Sequence, residues 1–279
     1  MDIRRRFTYD YNRGINNNTS IPDNEIWYTT SDGNIIITDP DMWFEFGYIS
    51  NVYIDGVGRL TCKYPIEWIN EGAFADCSSL TSIIFPNSLR SIGDWAFYGC
   101  SSLTSITIPE SVTEFGFNTF GNCNSLELFT SQFASEDGRC LIKDGELIAF
   151  APAELAEYVI PNNVTKIFDG AFKGCSSITS IIISDSVTEI GYSVFTDCSS
   201  LTSITIGNRV TSIGYSAFDG CSSLKEVYCK AIRPPSVNYL YFDTTENDFK
   251  IYVPKAAVYS YKNAWSWCEY ESNIVGYSF

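Results

Sequence analysis

The sequence contains no histidine. That removes Ser-His-Asp and Cys-His nucleophilic schemes, together with the commonest metal-ligating side chain. Basic residues are also scarce: 18 Lys and Arg stand against 33 Asp and Glu, for a formal net charge of −15 and a pI near 4.3. Phosphate backbones and anionic membranes attract clustered Lys and Arg, so nucleic acid is not an expected partner. The single basic run, Arg4-Arg5-Arg6, reads as solvated charge on a terminus. No window approaches the roughly 18 apolar residues of a membrane span, and the first thirty residues lack the apolar core of a secretory signal. Ten cysteines are present, yet no Cys-x-x-Cys pair of zinc-site spacing.

What the chain has in abundance is repetition. Phe-x-x-Cys recurs at Phe74/Cys77, Phe97/Cys100, Phe120/Cys123, Phe172/Cys175, Phe195/Cys198 and Phe218/Cys221, so successive cysteines lie 23, 23, 52, 23 and 23 residues apart. A fixed period in the twenties is the mark of a leucine-rich-repeat coil, and a stack of such coils can use the whole chain as one elongated body. Hydrophobic residues at 45% and aromatics at 15% suffice for a packed interior.

Within one period each position has a physical role. In Leu103-Thr-Ser-Ile106-Thr-Ile108, alternation turns Leu103, Ile106 and Ile108 inward and Ser105 and Thr107 outward, as in a strand. Counterparts are Leu80/Ile83/Phe85, Ile178/Ile181/Ile183, Leu201/Ile204/Ile206 and Leu224/Val227. Stacking predicts that these strands join in one parallel sheet. Pro86, Pro109 and Pro161 end strands where a missing N–H costs little. Phe74, Phe97, Phe120, Phe172, Phe195 and Phe218 should fill the coil interiors. Cys77, Cys100, Cys123, Cys175, Cys198 and Cys221 should form a ladder of buried free thiols beside them. The residue before each of these cysteines is Asp76, Gly99, Asn122, Gly174, Asp197 or Gly220, the types that best tolerate positive φ, so each is expected to end a short helical turn.

Three stretches depart from the period. Residues 1–60 are read as an N-terminal arm and cap, with a polar, turn-like stretch at Asn12–Asn18. A hairpin is expected there, from Glu25–Thr30 and Ile35–Thr38 joined by Asp32-Gly33, with Trp43, Phe44 and Phe46 covering the first coil. Residues 61–253 form the solenoid. An irregular insertion at 124–158 interrupts it, where Asp144-Gly145 between apolar runs predicts a second hairpin. Residues 254–279 should supply a capping helix after Pro254, with Val258, Tyr261 and Trp265 on its buried face. The fold class expected is a leucine-rich-repeat solenoid with a parallel sheet on one face, short helical turns and irregular return limbs, a β-hairpin N-cap and a helical C-cap.

The motif Leu-Thr-Ser-Ile-Thr-Ile-Pro joined to Val-Thr-x-Ile-Gly-x-x-Ala-Phe-x-Gly-Cys-Ser-Ser closely resembles the repeat of BspA-like leucine-rich-repeat proteins of gut and oral bacteria. The resemblance extends to the flanks at Asn24–Gly33, Ser135–Cys140 and Lys250–Pro254. It implies a surface-exposed or secreted binding protein, linked in some members to adhesion, with no catalytic residues attached to the repeat and no cofactor.

Enzymatic chemistry would have to rest on a carboxylate pair, as in a glycoside hydrolase. Glu110 and Asp185 hold equivalent positions several coils apart, too far to cooperate. Glu71 and Asp94 belong to neighbouring coils, as calcium ligands or as solvated acids, and Lys166 beside Glu189 reads as a ladder pair. The preferred reading is a non-enzymatic module that binds a protein or glycan through the outward strand positions Ile84, Thr107, Ile182, Thr205, Glu226 and Tyr228. A second aromatic stripe, Trp95, Phe117, Tyr192 and Tyr215, lies on the return limbs. The alternatives are a structural spacer without a ligand and a carboxylate-dependent hydrolase; a monomer is expected.

Overall fold

The computed structural model describes residues 21–36, 40–237, 239–243 and 248–279. Arg4–Arg6 and Asn12–Asn18 lie outside them. The described residues begin with β1 (Glu25–Thr30), a 3-10 helix (Pro40–Phe46), β2 (Tyr48–Ile54) and β3 (Val57–Cys62). It then alternates between return-limb and front strands. These are β4 (Trp68–Ile69), β5 (Leu80–Ile84), β6 (Ser91–Ile92), β7 (Ser105–Thr107), β8 (Glu114–Phe115) and β9 (Leu128–Thr130). A hairpin of β10 (Cys140–Lys143) and β11 (Glu146–Phe150) intervenes. Alternation resumes with β12 (Glu157–Val159), β13 (Lys166–Ile167), β14 (Ser180–Ile182), β15 (Glu189–Ile190), β16 (Ser203–Ile206), β17 (Ser212–Ile213), β18 (Glu226–Cys229), β19 (Ser236–Val237) and β20 (Lys250–Pro254). Helix α1 (Val258–Lys262) and β21 (Ile274–Tyr277) finish the chain.

The repeat positions do what their chemistry requires. All six repeat phenylalanines are buried, and their rings form a column: Phe74 to Phe97 is 5.2 Å, Phe97 to Phe120 5.5 Å, Phe172 to Phe195 5.2 Å and Phe195 to Phe218 5.7 Å. The six repeat cysteines are buried and free. Four of them donate from Sγ to a phenylalanine carbonyl of the preceding coil at 3.1 Å: Cys100 to Phe74, Cys123 to Phe97, Cys198 to Phe172 and Cys221 to Phe195. The residues before the cysteines all have positive φ, from 56° at Asp76 to 73° at Gly99 and Gly174. Repeat threonines satisfy carbonyls of the preceding coil, Thr202 to Thr179 at 2.9 Å and Thr211 to Thr188 at 3.0 Å. That accounts for a small hydroxyl at a position where any polar group would be soluble.

Four features differ from the sequence reading. The front strands do not form one sheet. β5 joins the cap, β7 pairs with β9, and β12-β14-β16-β18-β20-β21 form a separate parallel sheet. The return limbs are more regular than expected, since β4-β6-β8 and β11-β13-β15-β17-β19 make parallel ladders of their own.

The cap hairpin sits elsewhere. Asp55 and Gly56, at φ 53° and 84°, join β2 to β3. β1 then inserts between β3 and β5, which gives both of its edges partners and leaves none for a strand at Ile35. Ile35 and Ile36 are not in a strand, and residues 37–39 lie outside the described set. Trp43 is buried and its ring lies 5.5 Å from that of Phe74, closing the first coil.

The C-terminal helix is only five residues long, and Trp265 is 79% exposed. Trp267 is the buried indole, donating from Nε1 to the Pro235 carbonyl at 2.9 Å, edge-on to Tyr261 at 5.0 Å. A helix that ends at Lys262 cannot carry Trp265 on its inner face. β21, parallel to β20, completes the closure.

The insertion forms its predicted hairpin, and that hairpin is a partition. Leu147 and Phe150 pack with the C-terminal core, while Leu141, Ile148, Ala149 and Ala151 pack with the N-terminal core. Burial on two faces explains an unbroken apolar run where a one-sided strand would alternate. Phe150 takes the place of a repeat phenylalanine, its ring 4.6 Å from Phe172 and its N–H on the Ala171 carbonyl at 3.1 Å. No Gly-Cys turn follows it. The outer turns therefore stack across the insertion without interruption: Gly99 N–H donates to Gly121, Asn122 to Lys173 at 3.1 Å, and Gly174 to Thr196. The inserted layer is present on the front and return sides and missing at the outer turn, so it acts as a wedge.

Candidate recognition surface

Register in the larger front sheet fixes which side chains meet. Val159 pairs with Ile182, Ile182 with Thr205, Thr205 with Tyr228, Tyr228 with Tyr252, and Tyr252 with Val275. With strands about 4.8 Å apart, these six residues form one outward row. Val159 is 59% exposed and Ile182 40%. Tyr228 stacks on Tyr252 at 4.6 Å and 14°, and Tyr277 meets both rings edge-on at 5.5 Å. The parallel outward row runs Glu157, Ser180, Ser203, Glu226, Lys250. Tyr228 donates to Glu226 Oε2 at 3.1 Å. Burial, and then that carboxylate, push the phenol up to about 12, so Tyr228 stays a neutral donor.

Of the sequence-derived positions, Ile182, Thr205 and Tyr228 share this row and Glu226 lies in the next one. Thr107 is on a different sheet, opposite Thr130. Ile84 lies opposite Trp27 of the cap strand β1, so neither joins the row. Val159, Tyr252 and Val275 were missed, because β12, β20 and β21 lie outside the regular period; a scan for apolar residues one place beyond an inward residue finds them.

The return-limb stripe is partly exposed. Trp95 meets Phe117 edge-on at 5.3 Å, and Tyr192 and Tyr215 are about half exposed. Two of the acids considered for chemistry serve the backbone: Asp94 Oδ1 accepts from Phe117 N–H at 2.7 Å, and Asp185 Oδ1 from Asn208 N–H at 2.9 Å. No Asp or Glu among the described residues is buried, and no group of three potential metal ligands occurs among them. Lys166 sits between Glu146 at 3.4 Å and Glu189 at 3.5 Å.

β9 and β12 do not pair, and the loop 131–139 occupies the break in the front face. A cleft of about 530 Å³ opens there, lined by Ser135, Glu136, Asp137, Tyr158, Val159 and Asn163 among others. Asp137 Oδ1 accepts from Ser135 Oγ at 2.6 Å and Arg139 N–H at 3.0 Å, and its Oδ2 accepts from Tyr158 at 3.0 Å. Partial burial raises the acid's pKa, but these hydrogen bonds outweigh it and hold Asp137 below its ordinary value.

Coils of this period, with parallel strands on one face, define a leucine-rich-repeat solenoid. The chain belongs to the BspA type leucine rich repeat family, which matches in six copies over residues 57–136 and 146–271. The fold resembles that of a leucine rich cell surface protein of Faecalibacterium prausnitzii, 28% identical with a TM-score of 0.55, over 77% of this chain and 58% of that one. It also resembles the pneumococcal vaccine antigen PcpA, 18% identical with a TM-score of 0.50, over 76% of this chain and 64% of that one; this likeness concerns the fold alone. The chain thus spans about three fifths of the length of these structures. None of the curated proteins matches it. No helix among the described residues is long and apolar enough to cross a membrane.

Proposed function

We propose that the chain is a non-enzymatic binding or adhesion module of a bacterial surface or secreted protein, and that it recognises a protein or glycan through its front sheet. The observation that carries this reading is the outward row from Val159 to Val275. It is a flat strip of aliphatic and aromatic side chains crossing six hydrogen-bonded strands, with valine and isoleucine held in water at its start. Apolar groups displayed in a contiguous strip mark interaction surfaces, and a flat face suits a macromolecule better than a small ligand. The Faecalibacterium relative is described as a cell surface protein, which supports the location.

The test is binding of the purified chain to arrays of matrix proteins and glycans, run beside the double variant Ile182→Arg, Tyr228→Ala. A signal lost in the variant with an unchanged melting curve supports the reading. No signal on any array, from a chain that scatters as a monomeric rod, would favour a spacer instead.

A further inference from the structure

We infer that the solenoid consists of two separately cooperative units meeting at the insertion, and that the N-terminal unit opens while the C-terminal unit, which carries the outward row, stays folded. This holds whichever ligand the row takes. In a repeat protein each coil is held by its neighbours, so cooperativity breaks at the weakest junction. At the seam between the Phe120 coil and the insertion, both strand ladders stop: β9 does not pair with β12 on the front, nor β8 with β11 on the return limbs. Between β5 and β7 the front ladder also lapses, but there β4-β6-β8 runs on. The phenylalanine column runs from Phe74 to Phe120 and again from Phe150 to Phe218. Among the described residues no ring contact joins Phe120 to Phe150, and none of the four bonds from a repeat thiol to a phenylalanine carbonyl crosses the seam.

Outside the connecting loop 131–139, the backbone bonds across the seam among the described residues are Asn122 N–H to the Lys173 carbonyl at 3.1 Å and Ala153 N–H to the Leu126 carbonyl at 3.0 Å. The rest is apolar contact through one face of the hairpin, where Leu141, Ile148, Ala149 and Ala151 meet the N-terminal core. The hairpin itself belongs to the C-terminal unit, because β11 pairs with β13 and Phe150 stacks on Phe172. Asn118 lies buried against Gly170 at the seam, with neither amide atom hydrogen-bonded. That desolvation cost is borne only while the seam is closed. The C-terminal unit keeps two unbroken ladders, from β12 to β21 and from β11 to β19, so it is the more firmly held and the N-terminal unit opens first. Every strand of the outward row lies in the C-terminal unit.

Buried thiols report on each unit within the full chain. Cys62, Cys77, Cys100 and Cys123 lie in the N-terminal core. Cys140, Cys175, Cys198, Cys221 and Cys229 lie in the C-terminal one. The parent, Phe97→Ala and Phe195→Ala, both at buried rings, are labelled with iodoacetamide at pH 8 in urea below the unfolding transition, and each site is quantified by peptide mass spectrometry. When reclosing outpaces labelling, the rate follows the population of the open state. In the parent the N-terminal thiols are expected to react at least about tenfold faster than the C-terminal thiols, with Cys140 following the C-terminal set. Phe97→Ala should speed the N-terminal set about a hundredfold and the C-terminal set by less than about threefold, and Phe195→Ala should do the reverse. A Phe97→Ala chain whose N-terminal unit is already open still decides the matter, because its C-terminal thiols must stay protected. One common rate for both sets, equal acceleration of both by either variant, Cys140 following the N-terminal set, or the C-terminal set reacting first in the parent would overturn the proposal.

Discussion

Phe195→Ala tests the interior of the solenoid most sharply. The Phe195 ring is buried between Phe172 at 5.2 Å and Phe218 at 5.7 Å. Its backbone is pinned on both sides, N–H to the Ala217 carbonyl at 2.8 Å and carbonyl to Cys221 Sγ at 3.1 Å. Neighbouring coils held in this way cannot collapse into the space the ring leaves, so the cost belongs within the range of about 3–5 kcal/mol for a buried phenylalanine. That is a large part of the roughly 5–15 kcal/mol that holds a typical domain together. Since each coil touches only its neighbours, the cavity also weakens the coupling between the flanking coils. Urea denaturation followed by circular dichroism should show an unfolding free energy lowered by that amount, or a transition split in two. Tyr192→Ala, at a position about half exposed, should change the unfolding free energy by about 0.5 kcal/mol or less. A loss below about 1 kcal/mol for Phe195→Ala would refute the assignment of the phenylalanine column as the structural spine.

Other consequences follow from the turns, the thiols and the charges. Gly174 has φ +73°, and a Cβ there would run into the Asn122 side-chain oxygen; Gly174→Ala should cost about 1–3 kcal/mol, and Asn122→Gly should recover part of it in thermal melts. Burial pushes the Cys77 thiol up to about 11 and Cys123 up to about 12, whereas Cys268 is exposed. Native-state labelling at pH 8 should therefore modify Cys268 and leave the repeat thiols to react only on unfolding. Because a free thiol ionises near 8.5, the unfolded chain releases these protons first. Through these thiols stability should then be flat between neutral pH and about 8 and fall between about 8.5 and 11, as equilibrium unfolding across that window would show. Lys166→Ala should cost no more than about 1 kcal/mol, and the loss should fade in 1 M salt, because its two ion pairs are partly exposed.

What the sequence disclosed was whatever repeats with a local physical cause. The alternation at Ile106 and Ile108 set the strand register, Asp76 and Asn122 revealed left-handed turns, and Asp144-Gly145 marked a tight hairpin, because each depends on neighbours in the chain. What escaped depends on distant partners. Asp32-Gly33 carries the same turn signal as Asp55-Gly56, but β3 and β5 occupy the two edges of β1 and leave none for a strand after Asp32-Gly33. Trp265 and Trp267 differ by two residues, and the early end of α1 selects the buried one. The spacing of 52 residues announced an insertion. It could not say that the outer turns close over it, nor that β9 and β12 part to leave a cleft. For the candidate surface, Ile182, Thr205 and Tyr228 were legible from the repeat, while Val159, Tyr252 and the carboxylate of Asp137 belong to the irregular segments on either side.

The central claim is that the outward row of the front sheet is a recognition face, and the most direct measurement is a comparison of affinities for an array-identified ligand across three proteins. Ile182→Arg, Tyr228→Ala should lose at least about tenfold in affinity against the parent, while Tyr192→Ala on the return limbs should bind as the parent does. Equal affinity for all three, or a loss confined to Tyr192→Ala, would contradict the account.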